Sequence, residues 1–273
     1  MKRILVLLSA LAMALTMALP AGAITDGEPT TDHSEVVLIL MEIDGQPAFR
    51  CSGTLIAPTY VLTAGHCTNG FPSHVFSGMR VFTEADVDGG DNDYPFGTGN
   101  NTVEAIRWAA HPSYEDAPFF VNDVGMIELE SPVELEDGDL YGTLPEVDSL
   151  DAYATSRGLN KAEFTAVGYG LQMINPVFVE AERVRYISHP KLNAINVPGL
   201  VGDFSLLLSN NHSTGGTCFG DSGGPNFIDG VGDGNVVAGV TSFGLNGNCA
   251  GTGGVFRTDR QNVQDFIYDF MSS

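Results

Sequence analysis

The segment GTCFGDSGGPNF, residues 216–227, places Ser222 between an aspartate and a glycine. A nucleophilic serine needs free backbone N–H groups beside it to stabilise an oxyanion, and glycine lets the backbone approach a substrate closely. The same residues could form an ordinary turn, so this segment alone indicates only a candidate nucleophile. Such a nucleophile also requires a base and a carboxylate that orients the base.

Candidates for both partners occur earlier in the chain. TLIAPTYVLTAGHCTNG, residues 54–70, places His66 after a β-like run, and VNDVGMIELESP, residues 121–132, places Asp123 before an apolar strand. A lone histidine is more often structural or solvated, and an aspartate before a strand is usually a cap or turn residue. Together, in the order His, Asp, Ser, the three residues favour nucleophilic hydrolysis.

These motifs closely resemble those of the trypsin/chymotrypsin family of serine peptidases, and the resemblance covers almost the whole chain after residue 23. The matching segments are TAGHC at 63–67, NDVGMIEL at 122–129, GDSGGP at 220–225, AVGYG at 166–170 and TSFG at 241–244. Tyr169 and Phe243 stand where the family usually has tryptophan, and Gly65 stands where alanine is commoner. HPSY at 111–114 often precedes the family's aspartate, so we expect His111 to be structural.

The resemblance implies an all-β fold of two antiparallel six-stranded β-barrels with a C-terminal amphipathic helix. We expect the first barrel at 24–145, carrying His66 and Asp123, and the second at 146–273, carrying Ser222. Many short β-branched and aromatic runs separated by turns agree with this fold. A helix is predicted at about 259–271, because four apolar residues there follow an i, i+3, i+4, i+7 spacing: Val263, Phe266, Ile267 and Phe270. Thr258 and Gln261 could form its capping box.

The family resemblance also implies the site roles. Ser222 attacks the scissile carbonyl, His66 is the base, Asp123 orients it, and the N–H groups of Gly220 and Ser222 form the oxyanion hole. The substrate pocket is expected to comprise Gly216, Thr217, Ser242, Phe243, Gly244 and Gly254, or Gly253 if the alignment shifts by one. With Gly216 at its base the pocket lacks a carboxylate for Arg or Lys, so we expect cleavage after large apolar or aromatic residues.

The first 23 residues have the pattern of a secretory signal peptide. A basic start at Lys2 and Arg3 precedes an apolar run from Ile4 to Leu19, and an A-x-A site ends at Ala23. A membrane anchor is the alternative, but the run is short for a span. Cleavage would start the chain at Ile24, whose ammonium the resemblance pairs with Asp221. We therefore expect a secreted or periplasmic protein that signal cleavage itself activates.

Four cysteines in an exported chain predict two disulfides, and the resemblance pairs Cys51 with Cys67 and Cys218 with Cys249. A metal site is the alternative, but the chain has no C-x-x-C pair. We expect no cofactor. The loop Asp86–Asp93 contains four aspartates that could hold Ca²⁺, although a solvated acidic loop is the favoured interpretation.

The formal net charge of −22 argues against nucleic acid or an anionic membrane as a partner. Protein or peptide substrates are expected, with protein inhibitors as further candidate partners. The sequence leaves two other functions to consider. An inactive, binding-only relative would usually lack a triad residue or a glycine of the serine motif, and this chain keeps them all. An α/β-hydrolase esterase would show G-x-S-x-G and the order Ser, Asp, His.

Overall fold

The computed structural model describes residues 24–70, 75–97, 99–114, 118, 120–155, 161–175, 178–198 and 202–273. The predicted signal peptide, residues 1–23, lies outside these described residues. The regular structure of the described chain is dominated by two antiparallel β-sheets; the larger cluster of buried apolar side chains spans both sheets, and a second cluster belongs to the second sheet. Across these ranges, no helix combines the length and the apolar character that crossing a membrane requires.

The first sheet is a closed barrel of six strands in the order β2-β3-β4-β7-β6-β5. Its strands are β2 (Val36–Ile43), β3 (Gln46–Ala57), β4 (Tyr60–Thr63), β5 (Gly78–Phe82), β6 (Thr102–Ala110) and β7 (Gly125–Leu129), and β1 (Glu28–Pro29) precedes them. The run VVLILMEI of β2 is buried along nearly its whole length. The acidic stretch 84–101 connects β5 to β6 as a surface loop, as the sequence predicts.

The second sheet has eight strands in the order β1-β11-β8-β14-β15-β16-β13-β12. The remaining strands are β8 (Phe164–Gly168), β9 (Met173–Asn175), β10 (Phe178–Glu180), β11 (Tyr186–Ser188), β12 (Leu192–Ile195), β13 (Ser205–Asn210), β14 (Pro225–Ile228), β15 (Val237–Gly244) and β16 (Gly251–Arg257). Strands β9 and β10 form a separate hairpin. Between the two sheets, the acidic stretch 134–155 contains a short 3₁₀ helix, Ser149–Thr155.

One bent segment nearly closes the second sheet on itself. Strands β11 and β12 are consecutive in the chain, yet β11 pairs with β8 and β12 pairs with β13. At the bend, an isolated bridge joins Glu163 to Lys191, and Phe164 N–H donates to the Pro190 carbonyl at 2.9 Å. The predicted two-barrel, all-β fold is confirmed, with the ladder of the second barrel interrupted at this bend.

The segment that follows residue 23 joins the second sheet, although the expected division at residue 145 assigns it to the first barrel. Strand β1 pairs with β11 through Glu28–Ile187 and Pro29–Tyr186. Just before it, Thr25 forms a bridge with Gly216. The start of the predicted mature chain therefore lies beside the segment that leads to Ser222.

The C-terminal helix α1 spans Gln261–Ser272 and packs on the first barrel. Tyr60 donates from its hydroxyl to the Met271 carbonyl at 3.2 Å, and the ring of His111 contacts that of Phe266 edge-on. The predicted capping box is wrong: Arg260 is the N-cap residue, and no side-chain hydrogen bond caps the helix. The hydroxyl of Thr258 instead donates to the Val237 carbonyl, which fixes it to the second sheet.

Candidate active site

The pairing of β4 with β7 brings His66 and Asp123 together. His66 lies on a 3₁₀ turn, Gly65–Cys67, that follows β4, and Asp123 precedes β7. Thr63 and Gly125, at the adjacent ends of these strands, are directly opposite each other. His66 Nδ1 lies 3.0 Å from Asp123 Oδ2, and the backbone N–H of His66 donates to Oδ1 at 2.9 Å. The carboxylate thus fixes both the ring and the backbone of the histidine.

A third side chain reaches this pair from the second sheet. The Ser242 hydroxyl, on β15, donates to Asp123 Oδ2 at 2.5 Å, and Asp123 itself is 0% exposed. Burial lowers the pKa of His66, but the charge and hydrogen bond of Asp123 outweigh that effect and leave this pKa raised above 6.5. Because the imidazole side chain is 26% exposed, it can still meet a substrate.

Ser222 lies in the tight loop between β13 and β14, and two glycines permit the shape of that loop. Gly220 and Gly223 have φ values of +100° and +79°, which side-chain-bearing residues rarely adopt. A Cβ on Gly223 would also lie 1.9 Å from Thr63 Oγ1. The loop therefore packs directly on the end of β4, next to the turn that carries His66.

Ser52 holds this loop against the first barrel, and sequence reasoning missed it. Its hydroxyl donates to the Gly220 carbonyl at 2.9 Å, and its backbone N–H donates to the Ser222 carbonyl at 2.8 Å. The same hydroxyl accepts the N–H of Tyr169 at 3.0 Å. The sequence offers one weak signal, because Ser52 directly follows Cys51, whose disulfide closes the histidine loop.

Some backbone N–H groups beside Ser222 donate hydrogen bonds within the protein, and others do not. The N–H groups of Asp221, Gly223 and Gly224 donate to the carbonyls of Cys218, Thr241 and Asp221. Those of Gly220 and Ser222 have no acceptor among the described residues. Two donors that the loop leaves unused are what an oxyanion site requires.

Asp221 is 0% exposed and accepts the N–H groups of Gly170 at 2.7 Å and Cys218 at 2.8 Å. Burial raises its pKa to about 7, against the opposing effect of these hydrogen bonds and of Arg50. Ile24 is equally buried, and its side chain packs with Ala166 and Tyr186. Ala166 lies on β8, as does Gly168, where an added Cβ would lie 2.3 Å from Asp221 Oδ1.

A cavity of 290 Å³ opens beside His66 and Ser222. Its lining includes four of the predicted pocket residues: Thr217, Ser242, Phe243 and Gly244. Phe219, Thr241, Asn246 and the Cys218–Cys249 disulfide contribute the rest. Apart from His66, no ionisable side chain lines this cavity in the described part of the chain.

Two predicted pocket residues, Gly216 and Gly254, do not line the cavity. A Cβ on Gly216 would lie 2.3 Å from the side-chain carbon Cγ of Asn210, so the buried amide of Asn210 fills that space. A Cβ on Gly254 would lie 2.2 Å from the ring of Phe243, its partner across the strands. A side chain at Gly254 would therefore collide with Phe243, which itself lines the cavity.

Gly253, the alternative wall residue from a one-residue shift in the alignment, does not line the cavity either, but it lies beside residues that do. Gly253 lies opposite Gly244 in the β15–β16 register, and a Cβ added there would lie 3.3 Å from Thr217 Oγ1. Gly244 and Thr217 both line the cavity.

Both predicted disulfides are present. Cys51–Cys67 joins β3 to the turn carrying His66, with 6.3 Å between the two Cα atoms, and Cys218–Cys249 joins the serine loop to the far cavity wall, with 5.2 Å between them. Both separations are ordinary for disulfides.

The acidic loop uses its side chains internally. Glu84 accepts the N–H of Asp91 at 2.9 Å and also the amide of Asn92. Asp86 accepts the N–H of Gly89 at 2.8 Å, and Asp88 accepts that of Arg183 at 2.9 Å. These bonds give the loop a defined shape without a cation, and calcium binding there stays an untested prediction.

Comparison with known proteins agrees with this geometry. A family model described as Trypsin matches residues 24–267. Chymotrypsin of Phaedon cochleariae is 28% identical over 244 residues, covering 87% of this chain and 78% of that protein. Brachyurin of Leptuca pugilator is 30% identical over 205 residues, covering 74% and 78%. The solved structure of HL collagenase shares the fold, with a TM-score of 0.67 at 20% identity over 90% of this chain and 97% of the other. The chain belongs to the trypsin family of serine endopeptidases.

Proposed function

We propose that this protein hydrolyses peptide bonds through Ser222, His66 and Asp123. The observation that carries the proposal is that His66 and Ser222 line one cavity while buried Asp123 holds His66 from behind. His66 binds buried Asp123 through Nδ1, and Ser222 lines the same cavity as His66. This arrangement assigns Nε2 of His66 as the atom that takes the serine proton.

The reaction follows from these positions. Ser222 Oγ attacks the scissile carbonyl carbon while its proton passes to His66 Nε2, and Asp123 stabilises the imidazolium that forms. The N–H groups of Gly220 and Ser222 hold the oxyanion. The imidazolium then protonates the leaving amine as the C–N bond breaks. Water, deprotonated by His66, hydrolyses the acyl-enzyme and regenerates Ser222.

A large apolar or aromatic residue before the scissile bond suits the cavity best. Its wall combines the ring of Phe243, the Cys218–Cys249 disulfide and two threonines, with no carboxylate to recognise Arg or Lys. The ring of Phe120, 5.2 Å from that of Phe243, extends the apolar surface. Asn210, which fills the space at Gly216, is a neutral residue whose side-chain amide donates to the carbonyl of the cavity residue Thr217 at 2.7 Å.

Export and activation form one process in this proposal. Cleavage after Ala23 would release the protein outside the cytoplasm and convert the Ile24 amide into an ammonium. That ammonium would pair with Asp221. Ala166, which packs with Ile24, and Gly168, which lies beside Asp221, are two residues apart on the same face of β8. Protein and peptide substrates, and protein inhibitors that mimic them, are the proposed partners.

A fluorophosphonate probe tests the assignment, because it labels only an activated serine. The wild-type protein and an exposed-site control, Ser213→Ala, should be labelled and should cleave peptides. Ser222→Ala should lose both activities by a factor on the order of 10⁴ or more. Turnover of Ser222→Ala at the wild-type rate would end the assignment.

A further inference from the structure

A second concave region lies beside the serine loop and has a different chemical character. This groove has a volume of 570 Å³, and its lining includes Leu40, Phe49, Arg50, Asp88, Tyr94 and Arg183. It shares no lining residue with the apolar cavity. The first barrel and its acidic loop form one wall, and Arg183 comes from the segment that precedes β11.

Arg50 brings a positive charge to this groove, and Asp221 and Asp88 act on it only through electrostatics at longer range than an ion pair. The residue is partly buried on β3, and its guanidinium has no hydrogen bond or ion pair with any described residue. Its Nε atom lies 3.2 Å from where a Cβ on Gly220 would stand. The charge therefore sits against the backbone of the proposed oxyanion hole.

Arg183 adds a second guanidinium with an unused donor. Its Nε atom is buried and lacks a hydrogen-bond acceptor in the part of the chain that the structure describes. One partner is present: Asp88 Oδ2 lies 3.6 Å from Nη1. The guanidinium carbon also lies 5.5 Å from the ring centre of Tyr94, which orients the side chain.

Two cations facing one carboxylate leave this groove positive in a protein of formal charge −22. Burial, followed by repulsion from Arg183, lowers the pKa of Arg50. The Arg50 guanidinium and the partly exposed end of the Arg183 side chain can each present two parallel N–H bonds to a carboxylate in this groove. The structure itself supplies no second acid to fill this role among the groove residues.

The position of the groove determines which part of a substrate reaches it. If the side chain before the scissile bond fills the apolar cavity, the chain after that bond leaves Ser222 past Gly220, which Arg50 contacts. Resting on the proposed function, we propose that Arg50 and Arg183 select substrates carrying an Asp or Glu shortly after the scissile bond. The groove is thus a specificity site for an acidic leaving-group segment.

The test uses matched peptides that differ only in Glu or Gln at the first, second or third position after the scissile bond. For the wild-type enzyme we expect Glu to raise kcat/KM about tenfold at one of these positions. Arg50→Gln and Arg183→Gln should each bring the Glu/Gln ratio toward one. The control Lys191→Gln removes an exposed cation outside the groove and should keep the wild-type ratio. Equal kcat/KM for all pairs in an active wild-type enzyme would overturn the proposal.

A binding measurement separates this proposal from that of catalysis. Ser222→Ala protein, titrated calorimetrically with the same peptides, should bind the Glu peptide about tenfold more tightly than the Gln peptide. Addition of Arg50→Gln to this protein should abolish the difference, and high salt should weaken it. Equal affinities for both peptides would refute the acidic preference even if the wild-type protein cleaved nothing, whereas failed cleavage with retained preference would count against the proposed catalysis alone.

Discussion

The two halves of the site are held in different ways. In the histidine half, buried Asp123 accepts from His66 Nδ1, from the His66 backbone and from the Ser242 hydroxyl. In the serine half, buried Asp221 accepts only backbone N–H groups within the described residues, and its pKa is raised to about 7. Both acids are 0% exposed, so burial alone does not distinguish them.

The difference is one of charge compensation. Asp123 has a side chain that can carry positive charge within hydrogen-bond distance, whereas the ionised form of Asp221 has none. The histidine half is therefore complete in a chain that still carries Ala23. In the serine half, Asp221 lacks a cation within hydrogen-bond distance among the described residues, and we propose that the ammonium of Ile24 provides it.

Removing the charge from the histidine half should have the largest effect. Asp123→Asn keeps the size of the side chain but no longer stabilises the imidazolium or selects its tautomer. We expect kcat to fall by about 10⁴, as measured with a peptide substrate, while the melting temperature changes by a few degrees. A loss below tenfold would show that Asp123 does not orient the base.

In the serine half, the ionisation of buried Asp221 should make the free energy of unfolding of the uncleaved chain depend on pH. A buried acid with a raised pKa favours the folded state when protonated, so stability is highest below the unfolded value of 3.8 and falls as pH rises through about 7. The fall corresponds to about 4 kcal/mol at 1.36 kcal/mol per unit. Urea denaturation of uncleaved Ser222→Ala protein at several pH values measures it.

Asp221→Asn in the same background is the matched comparison, because it removes the titration and keeps the side-chain shape. We expect the stability of this variant to change less between pH 4 and pH 7. If the free energy of unfolding varied with pH in the same way in both proteins, ionisation of Asp221 would not destabilise the uncleaved chain.

The smallest expected effect concerns the pH dependence of the histidine half. His66 must be neutral to accept the serine proton, and its pKa is raised above 6.5. Activity should therefore fall as pH drops through that raised value, giving an acid limb of kcat/KM centred above pH 6.5. Ser242→Ala should lower the rate a few-fold and move this limb by less than one unit. A limb centred below 6.5 in the wild-type protein would contradict the Asp123–His66 contact.

The fold and the outline of the site could be predicted because local motifs carry them. Ser222, His66 and Asp123 each lie in a distinctive segment, and the cysteine pairs follow the same family pattern. The structure brings His66 and Asp123 together through the β4–β7 register. Their catalytic roles are proposals that the experiments above test.

The features that could not be predicted depend on long-range packing. Ser52 and Arg50 reach the serine loop only once the two sheets are packed together. Gly253 and Gly254 are adjacent in sequence, and only the strand register shows that Gly253 lies opposite Gly244 and Gly254 opposite Phe243. Thr258 has the residue type of a helix cap, but the Val237 carbonyl in the second sheet competes for its hydroxyl.

We propose that a free Ile24 ammonium pairs with Asp221 and so completes the serine half of the site. The most direct measurement compares two otherwise identical proteins, one beginning at Ile24 and one retaining Ala23, by the rate at which a fluorophosphonate labels Ser222. We predict labelling about 100-fold slower with Ala23 retained, since the missing ion pair would cost about 2.7 kcal/mol of the active geometry. Equal rates for the two proteins would contradict the claim and would mean that Asp221 needs no partner from the chain's new end.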